Sequence, residues 1–157
     1  MALHIVQYQP EIPLNTGSIM RTCLGINAKI HLIKPMGFEL TPKNIKRFGA
    51  NYVDQVDYSI YDSWDAFLKE KLPENLYFLS PYGKKFHTEI DFSDVEQDYF
   101  IVVGRESTGF PEDLLKAYLP NCFKVPMSAT IDSLNVSNVV AVIAYEAMRQ
   151  QKFHGLQ

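Results

Sequence analysis

The hydrophobic residues of the chain fall into short unbroken runs separated by longer stretches with helical spacing. The clearest run is Tyr99–Val103, five apolar aromatic or β-branched residues without polar alternation, which predicts a strand buried on both faces. Similar runs bounded by turn residues predict further strands at 4–9, 29–33, 53–58, 76–80 and 122–126.

Between these runs, apolar residues recur at intervals of three and four, which is typical of amphipathic helices. The spacing predicts helices at about 15–25, 42–48, 63–72, 111–117 and 136–151. Asn15 or Thr16 is expected to cap the first helix, and Gly49 to end the second. Because strands and helices alternate throughout, we expect an α/β fold with a mostly parallel sheet flanked by helices, in one domain over residues 1–157.

A polar loop with two glycines follows the buried run. Gly104 ends that strand, and Glu106, Ser107 and Thr108 precede Gly109. Open α/β sheets bind ligands outside the carboxyl ends of their strands, so this loop is a candidate site. No Lys-Ser/Thr pair follows Gly109, so the loop is not a P-loop. Taken alone, it is equally compatible with an ordinary strand–turn–helix connection.

The start of the last helix carries more polar residues than one cap requires. Ser133, Asn135, Ser137 and Asn138 crowd the residues just before it and its first turn. Helix N-termini offer free N–H donors and attract negative groups, so this excess favours a binding site. The simpler interpretation is that one of them caps the helix.

Some isolated residues are ambiguous on local grounds. Asn15 fits a helix cap, and Arg21 fits a solvated surface charge. Lys43, Lys46 and Arg47 lie on one short predicted helix, where they form either a solvated face or a set of phosphate contacts.

Composition narrows the class of protein. The chain has 46% hydrophobic and 21% charged residues, which is typical of a globular protein. It shows no membrane-span pattern and no signal peptide, so we expect a cytosolic protein without a membrane partner. The two cysteines and four histidines lack metal-ligand spacing, so we expect reduced core thiols and no metal site. A net charge of −3 means that any RNA contact requires a local basic patch.

Three segments together resemble a known family. Their order and separations are similar to the three motifs of the SpoU-type (SPOUT superfamily) RNA 2′-O-ribose methyltransferases. The segments carry Pro13, Asn15, Gly17 and Arg21; then Gly104, Glu106 and Gly109; and last Pro126 with Ser133, Leu134, Asn135, Ser137 and Asn138. The resemblance covers essentially the whole chain. Residues 5–17, Pro35-Met-Gly-Phe38 and the segment 145–150 narrow it to enzymes that methylate the wobble nucleotide of tRNA.

The resemblance implies a fold and partners that the pattern alone does not. It implies a deep trefoil knot formed by the C-terminal segment, a homodimer, and S-adenosylmethionine as cofactor. The implied reaction is 2′-O-methylation of position 34, C or modified U, in the anticodon stem-loop of tRNA.

The resemblance also implies roles for individual residues. At the reacting centre it places Asn15, Arg21, Glu106, Ser133 and Asn135. Arg21 is expected to orient the substrate and stabilise charge, Glu106 to fix Arg21 or the loop, and Ser133 to cap the last helix. In the cofactor site it places Leu79, Ser80, Gly104, Glu106, Gly109, Val125, Met127, Ser133 and Leu134.

One position departs from the pattern. Close relatives often carry Arg-Ser where this chain has Asp132-Ser133, which bears on substrate preference. Two other functions stay open: methylation of another tRNA site or of an rRNA site, and a non-catalytic RNA- or cofactor-binding module of the same fold.

Overall fold

Seven strands form one sheet in a computed structural model, which describes residues 2–48 and 52–157 of the chain. The strands are β1 (Leu3–Tyr8), β2 (Lys29–Ile33), β3 (Tyr58–Tyr61), β4 (Leu76–Leu79), β5 (Lys85–Phe86), β6 (Tyr99–Val103) and β7 (Cys122–Lys124). Their order is β3-β2-β1-β6-β4-β7-β5, and every pairing is parallel. The predicted mostly parallel sheet is confirmed, and β6 is buried along its whole length.

Helices cover both faces of this sheet, because the strands present apolar side chains on each side. The helices are α1 (Pro13–Gly25), α2 (Pro42–Phe48), α3 (Trp64–Lys71), α4 (Glu112–Ala117) and α5 (Val136–Gln150). Ile19 of α1 and Ile143 of α5 are fully buried in one core, and Phe67 of α3 is fully buried in the core on the other face. The flanking helices expected from the sequence are therefore present.

Two strands differ from the prediction. A strand was predicted at 53–58, whereas Val53–Gln55 form a 3-10 turn and β3 lies at Tyr58–Tyr61. The predicted and observed strands share only Tyr58. The prediction starts too early because the residues of the 3-10 turn give no clear strand alternation to separate them from the strand. β5 was not predicted, since two residues give no periodicity. The prediction that Gly49 ends α2 falls outside the described residues.

The last strand enters the sheet between two strands that are close in sequence. β7 pairs with β4 on one side and with β5 on the other, although only residues 80–84 separate β4 from β5. That connection packs directly on β7: a Cβ built on Gly83 would lie 2.5 Å from the Phe123 carbonyl carbon. This close crossing is compatible with the knot that the family implies, and the knot itself stays a prediction.

A chain of contacts between polar side chains, His4, His31 and Tyr61, runs through the core across β1, β2 and β3. His4 Nδ1 lies 2.8 Å from His31 Nε2, and His31 Nδ1 lies 2.9 Å from the Tyr61 hydroxyl. Burial lowers the pKa of both imidazoles far below their usual value, that of His4 to about 4. Both histidines are therefore neutral at pH 7 and belong to the core.

The cysteines are core residues as well. Cys23 and Cys122 are buried free thiols, and burial raises the pKa of Cys23 to about 12. Within residues 2–48 and 52–157, no helix is both long and apolar enough to cross a membrane.

Candidate functional site

A cavity of about 860 Å³ opens at the carboxyl edge of the sheet. Its walls come from the residues that follow β4, β6 and β7 and from the segments that enter α1 and α5. This is the position at which parallel α/β sheets bind ligands, and the volume suits a small molecule.

The loop after β6 forms one wall and depends on its two glycines. Arg105 and Gly109 exchange backbone hydrogen bonds, with the Gly109 N–H donating to the Arg105 carbonyl at 2.9 Å. Gly109 has φ +67°, a left-handed conformation that favours glycine. A Cβ on Gly104 would lie 2.8 Å from the Gly109 carbonyl carbon, so the turn closes only with glycine there.

Two glutamates fasten this loop to the segment before α1. Glu106 Oε2 accepts the Glu11 N–H at 2.8 Å, and its Oε1 accepts the Ile12 N–H at 3.2 Å. In return, Glu11 accepts the Ser107 N–H at 3.0 Å and the Ser107 hydroxyl at 2.7 Å. These two Ser107 donors hold the pKa of the Glu11 carboxyl below its usual value. Of the two roles expected for Glu106, the geometry fits the one of fixing the loop.

Arg105 extends the same fastening to the end of β1. Its Nε and Nη2 both donate to Gln9 Oε1, at 2.8 and 2.5 Å, and its guanidinium carbon lies 5.3 Å from the centre of the Tyr8 ring. The side chains or backbone of Arg105, Glu106 and Ser107 are thus tied to Gln9, Glu11 and Ile12 in the first connection. The cavity wall is pre-organised by these contacts.

A pair of asparagines joins the first and last helices. Asn135 Nδ2 donates to Asn15 Oδ1 at 3.0 Å, while Asn135 Oδ1 accepts the Ser137 N–H at 2.9 Å and caps α5. The expectation that Ser133 caps this helix is therefore wrong, because Ser133 precedes the cap by two residues and lies exposed on the cavity wall. The cap and the contact between α1 and α5 come from one side chain.

The predicted cap of α1 is also wrong. The helix begins at Pro13 after Ile12, which makes no side-chain cap. Asn15 and Thr16 lie inside the helix and are buried, and the Thr16 hydroxyl donates to Gln7 Oε1 at 2.9 Å. Proline lacks an N–H, which reduces the number of donors that a cap must satisfy.

The cavity brings together all but one of the predicted site residues. Its described lining contains Asn15, Leu79, Ser80, Gly104, Glu106, Gly109, Val125, Met127, Ser133, Leu134 and Asn135. Arg21 is not part of this lining; it is exposed on α1. Leu14 lies seven residues earlier on the same helix face and is 63% exposed. The face that carries Arg21 therefore points into solvent in the single chain.

Sequence reasoning missed three residues of this site. Gln9, Glu11 and Arg105 fasten the loops, yet each is a common surface residue with no helical or strand periodicity to distinguish it. The only available signal was their place beside the two motif loops.

The lining suits a nucleoside-containing cofactor more than a metal. Leu79, Val103, Leu134 and Val139 provide apolar surface, and the loops after β4, β6 and β7 add polar residues to the lining, among them Ser80, Glu106 and Ser133. In the described part of the chain, no group of three or more His, Cys, Asp or Glu side chains is arranged to hold a metal ion. These residues fit S-adenosylmethionine, whose adenine needs apolar walls and whose polar groups need hydrogen-bond partners.

Comparison with known proteins identifies the family of this fold and cavity. Residues 2–145 match the model of the SpoU rRNA Methylase family, and the chain belongs to that family. A Listeria innocua protein is 47% identical over 156 residues, covering 99% of this chain and 92% of the relative. That relative carries the provisional name tRNA (cytidine(34)-2′-O)-methyltransferase.

Solved structures agree with this assignment. A Bacillus anthracis protein, provisionally described as an RNA methyltransferase, superposes with a TM-score of 0.96 at 42% identity, covering 99% of this chain and 98% of that one. A second structure, described as giving insights into the 2-OH methylation of C/U34 on tRNA, has a TM-score of 0.88 at 36% identity and 98% coverage of both chains. The SpoU methyltransferase AviRb of Streptomyces viridochromogenes, in complex with AdoMet, has a TM-score of 0.80 at 20% identity; it covers 98% of this chain and 59% of that one, and shares the fold alone.

Proposed function

We propose that this protein transfers a methyl group from S-adenosylmethionine to the ribose 2′-oxygen of nucleotide 34 of tRNA, a cytidine or modified uridine. The observation that carries the proposal is the fastening of all three motif segments around one cavity by Asn15, Glu106 and Asn135. Relatives that match nearly the full chain are named for this reaction, and their similarity supports the same substrate here.

The cofactor would bind in the cavity. Leu79, Val125, Met127 and Leu134 would hold its apolar part, with Ser80, Gly104, Glu106, Gly109 and Ser133 around its polar groups. When bound, S-adenosylmethionine supplies an electrophilic sulfonium methyl group. In-line displacement requires close alignment of the attacking oxygen, so positioning is the main contribution of the chain.

The chain must also manage the proton of the 2′-hydroxyl. Glu106 is a poor candidate for accepting it, because both of its oxygens already accept backbone N–H groups. A guanidinium stays charged at neutral pH and is a poor base. Arg21 therefore acts by orienting the ribose and stabilising the negative charge that develops on the 2′-oxygen.

Arg21 would serve this role in the cavity of a second copy. Its helix face carries the exposed Leu14, and the neighbouring α5 exposes Val142 and Tyr145. A homodimer that covers these apolar side chains would bring Arg21 against its partner. The reacting centre would then combine the cavity of one protomer with the partner's Arg21.

The family resemblance supports the remaining proposals. We propose that residues 1–157 act as one domain with the knot around β7, and that the protein works in the cytoplasm on the anticodon stem-loop. Lys43, Lys46 and Arg47 are all exposed on α2, the last two in its last turn. They are candidates for phosphate contacts.

The proposal is tested by incubating the protein with bulk tRNA and methyl-labelled S-adenosylmethionine and mapping labelled nucleotides after digestion. We expect label as 2′-O-methyl at position 34 of a subset of tRNAs. Label at another tRNA position, or in rRNA alone, contradicts the proposed target. Cofactor binding without label in any RNA favours a non-catalytic binding module.

A further inference from the structure

The edge of the sheet beside the cavity carries aromatic and basic side chains, three of them exposed and Lys124 half-buried, that the proposed reaction has not used. We call this surface the Tyr82 rim and define it as Tyr82, Lys84, Lys85 and Lys124. Tyr82 and Lys124 line the cavity, while Lys84 and Lys85 continue the chain from Tyr82 into the edge strand β5. The rim therefore starts at the cavity mouth and extends outward.

Tyr82 stands out because a large ring is exposed on a rigid turn. Its side chain is 75% exposed, although it lines the cavity. Its N–H donates to Ser80 Oγ at 3.2 Å, and the Gly83 N–H donates to the Ser80 carbonyl at 3.0 Å. Gly83 in turn lies against the Phe123 backbone. The ring is thus presented to solvent by a backbone that is fixed, which lowers the entropy cost of stacking on it.

The three lysines supply unneutralised positive charge. Considering residues 2–48 and 52–157, no carboxylate forms an ion pair with Lys84, Lys85 or Lys124. Lys85 Nζ lies 5.7 Å from the centre of the Phe123 ring, and Lys124 Nζ lies 5.8 Å from that of Phe86. Because Lys85 pairs with Phe123 and Phe86 with Lys124, the two ammonium groups lie on opposite faces of the sheet edge.

We propose that the Tyr82 rim binds the single-stranded RNA that flanks the methylated nucleotide, with the Tyr82 ring stacked on one base and the lysines contacting phosphates. Charged grooves with an exposed aromatic ring are typical of single-strand binding, since every base offers a face for stacking. Although the protein carries a net charge of −3, the unpaired lysines make this edge of the sheet locally positive, with Lys85 and Lys124 reaching it from opposite faces, and local positive charge attracts a polyanion. The inference rests on the proposed function, because it assumes that RNA enters this cavity.

The test measures tRNA affinity of full-length variants as a function of salt, with bulk tRNA as the probe. Tyr82→Ala is expected to raise the Kd for tRNA about tenfold, whereas Tyr82→Phe, which keeps the ring, stays within about twofold. Lys84→Ala/Lys85→Ala is expected to reduce the slope of log Kd against log salt by about 1.4, or about 0.7 for each lost phosphate contact. The Kd for S-adenosylmethionine should stay unchanged in the lysine variant, because neither lysine lines the cavity.

The matched control is Lys69→Ala/Lys71→Ala on α3, which removes the same charge from a helix that does not line the cavity. It should leave the salt slope unchanged. If the rim variants bind tRNA like the wild type while the wild type methylates it, the rim inference fails and the proposed function stands. An equal loss in the α3 control also overturns it, since the effect is then one of net charge. A wild-type protein that neither binds nor methylates tRNA overturns both.

Discussion

The Glu11 N–H donates to the Glu106 carboxylate at 2.8 Å, and this contact joins the segment before α1 to the loop after β6. The Glu11 carboxylate accepts two hydrogen bonds from Ser107, the residue that follows Glu106. Each acidic residue therefore holds the backbone of the segment that carries the other. Two walls of the cavity are fixed to one another by this exchange. A substitution in either segment should therefore weaken cofactor binding.

Glu106→Gln should loosen this junction. A neutral amide can accept at its oxygen but presents a donor where the second backbone N–H now points, so one donor loses its partner. We expect the free energy of unfolding to fall by about 1–2 kcal/mol and the Kd for S-adenosylmethionine to rise severalfold. Urea unfolding and calorimetry measure both. Glu112→Gln is the control, because Glu112 is exposed and pairs with Lys116 one turn along α4, away from the junction; equal behaviour of the two variants would refute the role of Glu106.

Asn135 has two functions that substitutions can separate. Asn135→Asp keeps the oxygen that caps α5 but loses the N–H that reaches Asn15, whereas Asn135→Ala loses both. We expect Asn135→Ala to cost about 1–2 kcal/mol of unfolding free energy. Asn135→Asp should retain more stability than Asn135→Ala but still lose methyl transfer. Asn138→Ala, at an exposed position in the first turn of α5, serves as the control, because it keeps the backbone N–H that Asn135 accepts. Full activity of Asn135→Asp would show that the contact with Asn15 is dispensable.

Stability should depend on pH through the buried histidines. His4 and His31 have a lower pKa in the folded than in the unfolded chain, because burial disfavours their charged forms. Unfolding therefore takes up protons below about pH 6.5, so stability is fully present above that pH and falls as the pH drops toward about 4. Urea unfolding at several pH values measures this slope.

The matched variants assign that slope to the pair. His31→Gln should lower the stability at pH 7, because it disturbs the contacts with His4 and Tyr61, and should flatten the dependence between pH 6.5 and 4. His154→Gln changes an exposed histidine and should leave the dependence as in the wild type. A slope unaffected by His31→Gln would place its origin in other groups.

Asp132 puts a negative charge on the cavity wall. Phosphates of a bound RNA would be repelled by it, so Asp132→Asn should lower the Kd for tRNA by about threefold at low salt and by less at high salt. Filter binding across salt concentrations measures this. Asp65→Asn on the exposed side of α3 is the matched control. Weaker tRNA binding by Asp132→Asn would mean that the carboxylate instead accepts a hydrogen bond from the RNA.

Much of the fold could be predicted because buried positions dominate the hydrophobic pattern of the sequence. β6 and α5 have unbroken runs or clear helical spacing, and both lie within a residue of the predicted ranges. β5 and the 3-10 turn at Val53–Gln55 were missed because elements of two or three residues carry no period. The order of β7 between β4 and β5 depends on contacts distant in sequence, which no local pattern contains.

Site residues that belong to a sequence motif could be predicted. Site residues that are defined only by tertiary contacts could not. Asn15, Glu106 and Asn135 were expected, yet Asn15 was also interpreted as a cap, although its side chain reaches Asn135 across 120 residues of sequence. Glu11 and Arg105 gained their roles only from the meeting of two loops. Arg21 matches the motif, but its position on an exposed helix face became visible only in the fold.

The central claim, a reacting centre shared between two copies, is tested most directly by mixing two inactive variants. Arg21→Ala removes the arginine, and Ser133→Trp fills the cavity from an exposed position. Each variant alone should fold and dimerise but not methylate tRNA. If Arg21 serves the partner's cavity, a mixed dimer retains one intact site. Random mixing of equal amounts should then restore about a quarter of the wild-type activity, since half of the dimers are mixed and each has one working site of two. Mixed dimers verified by tag co-purification that stay inactive would contradict the account.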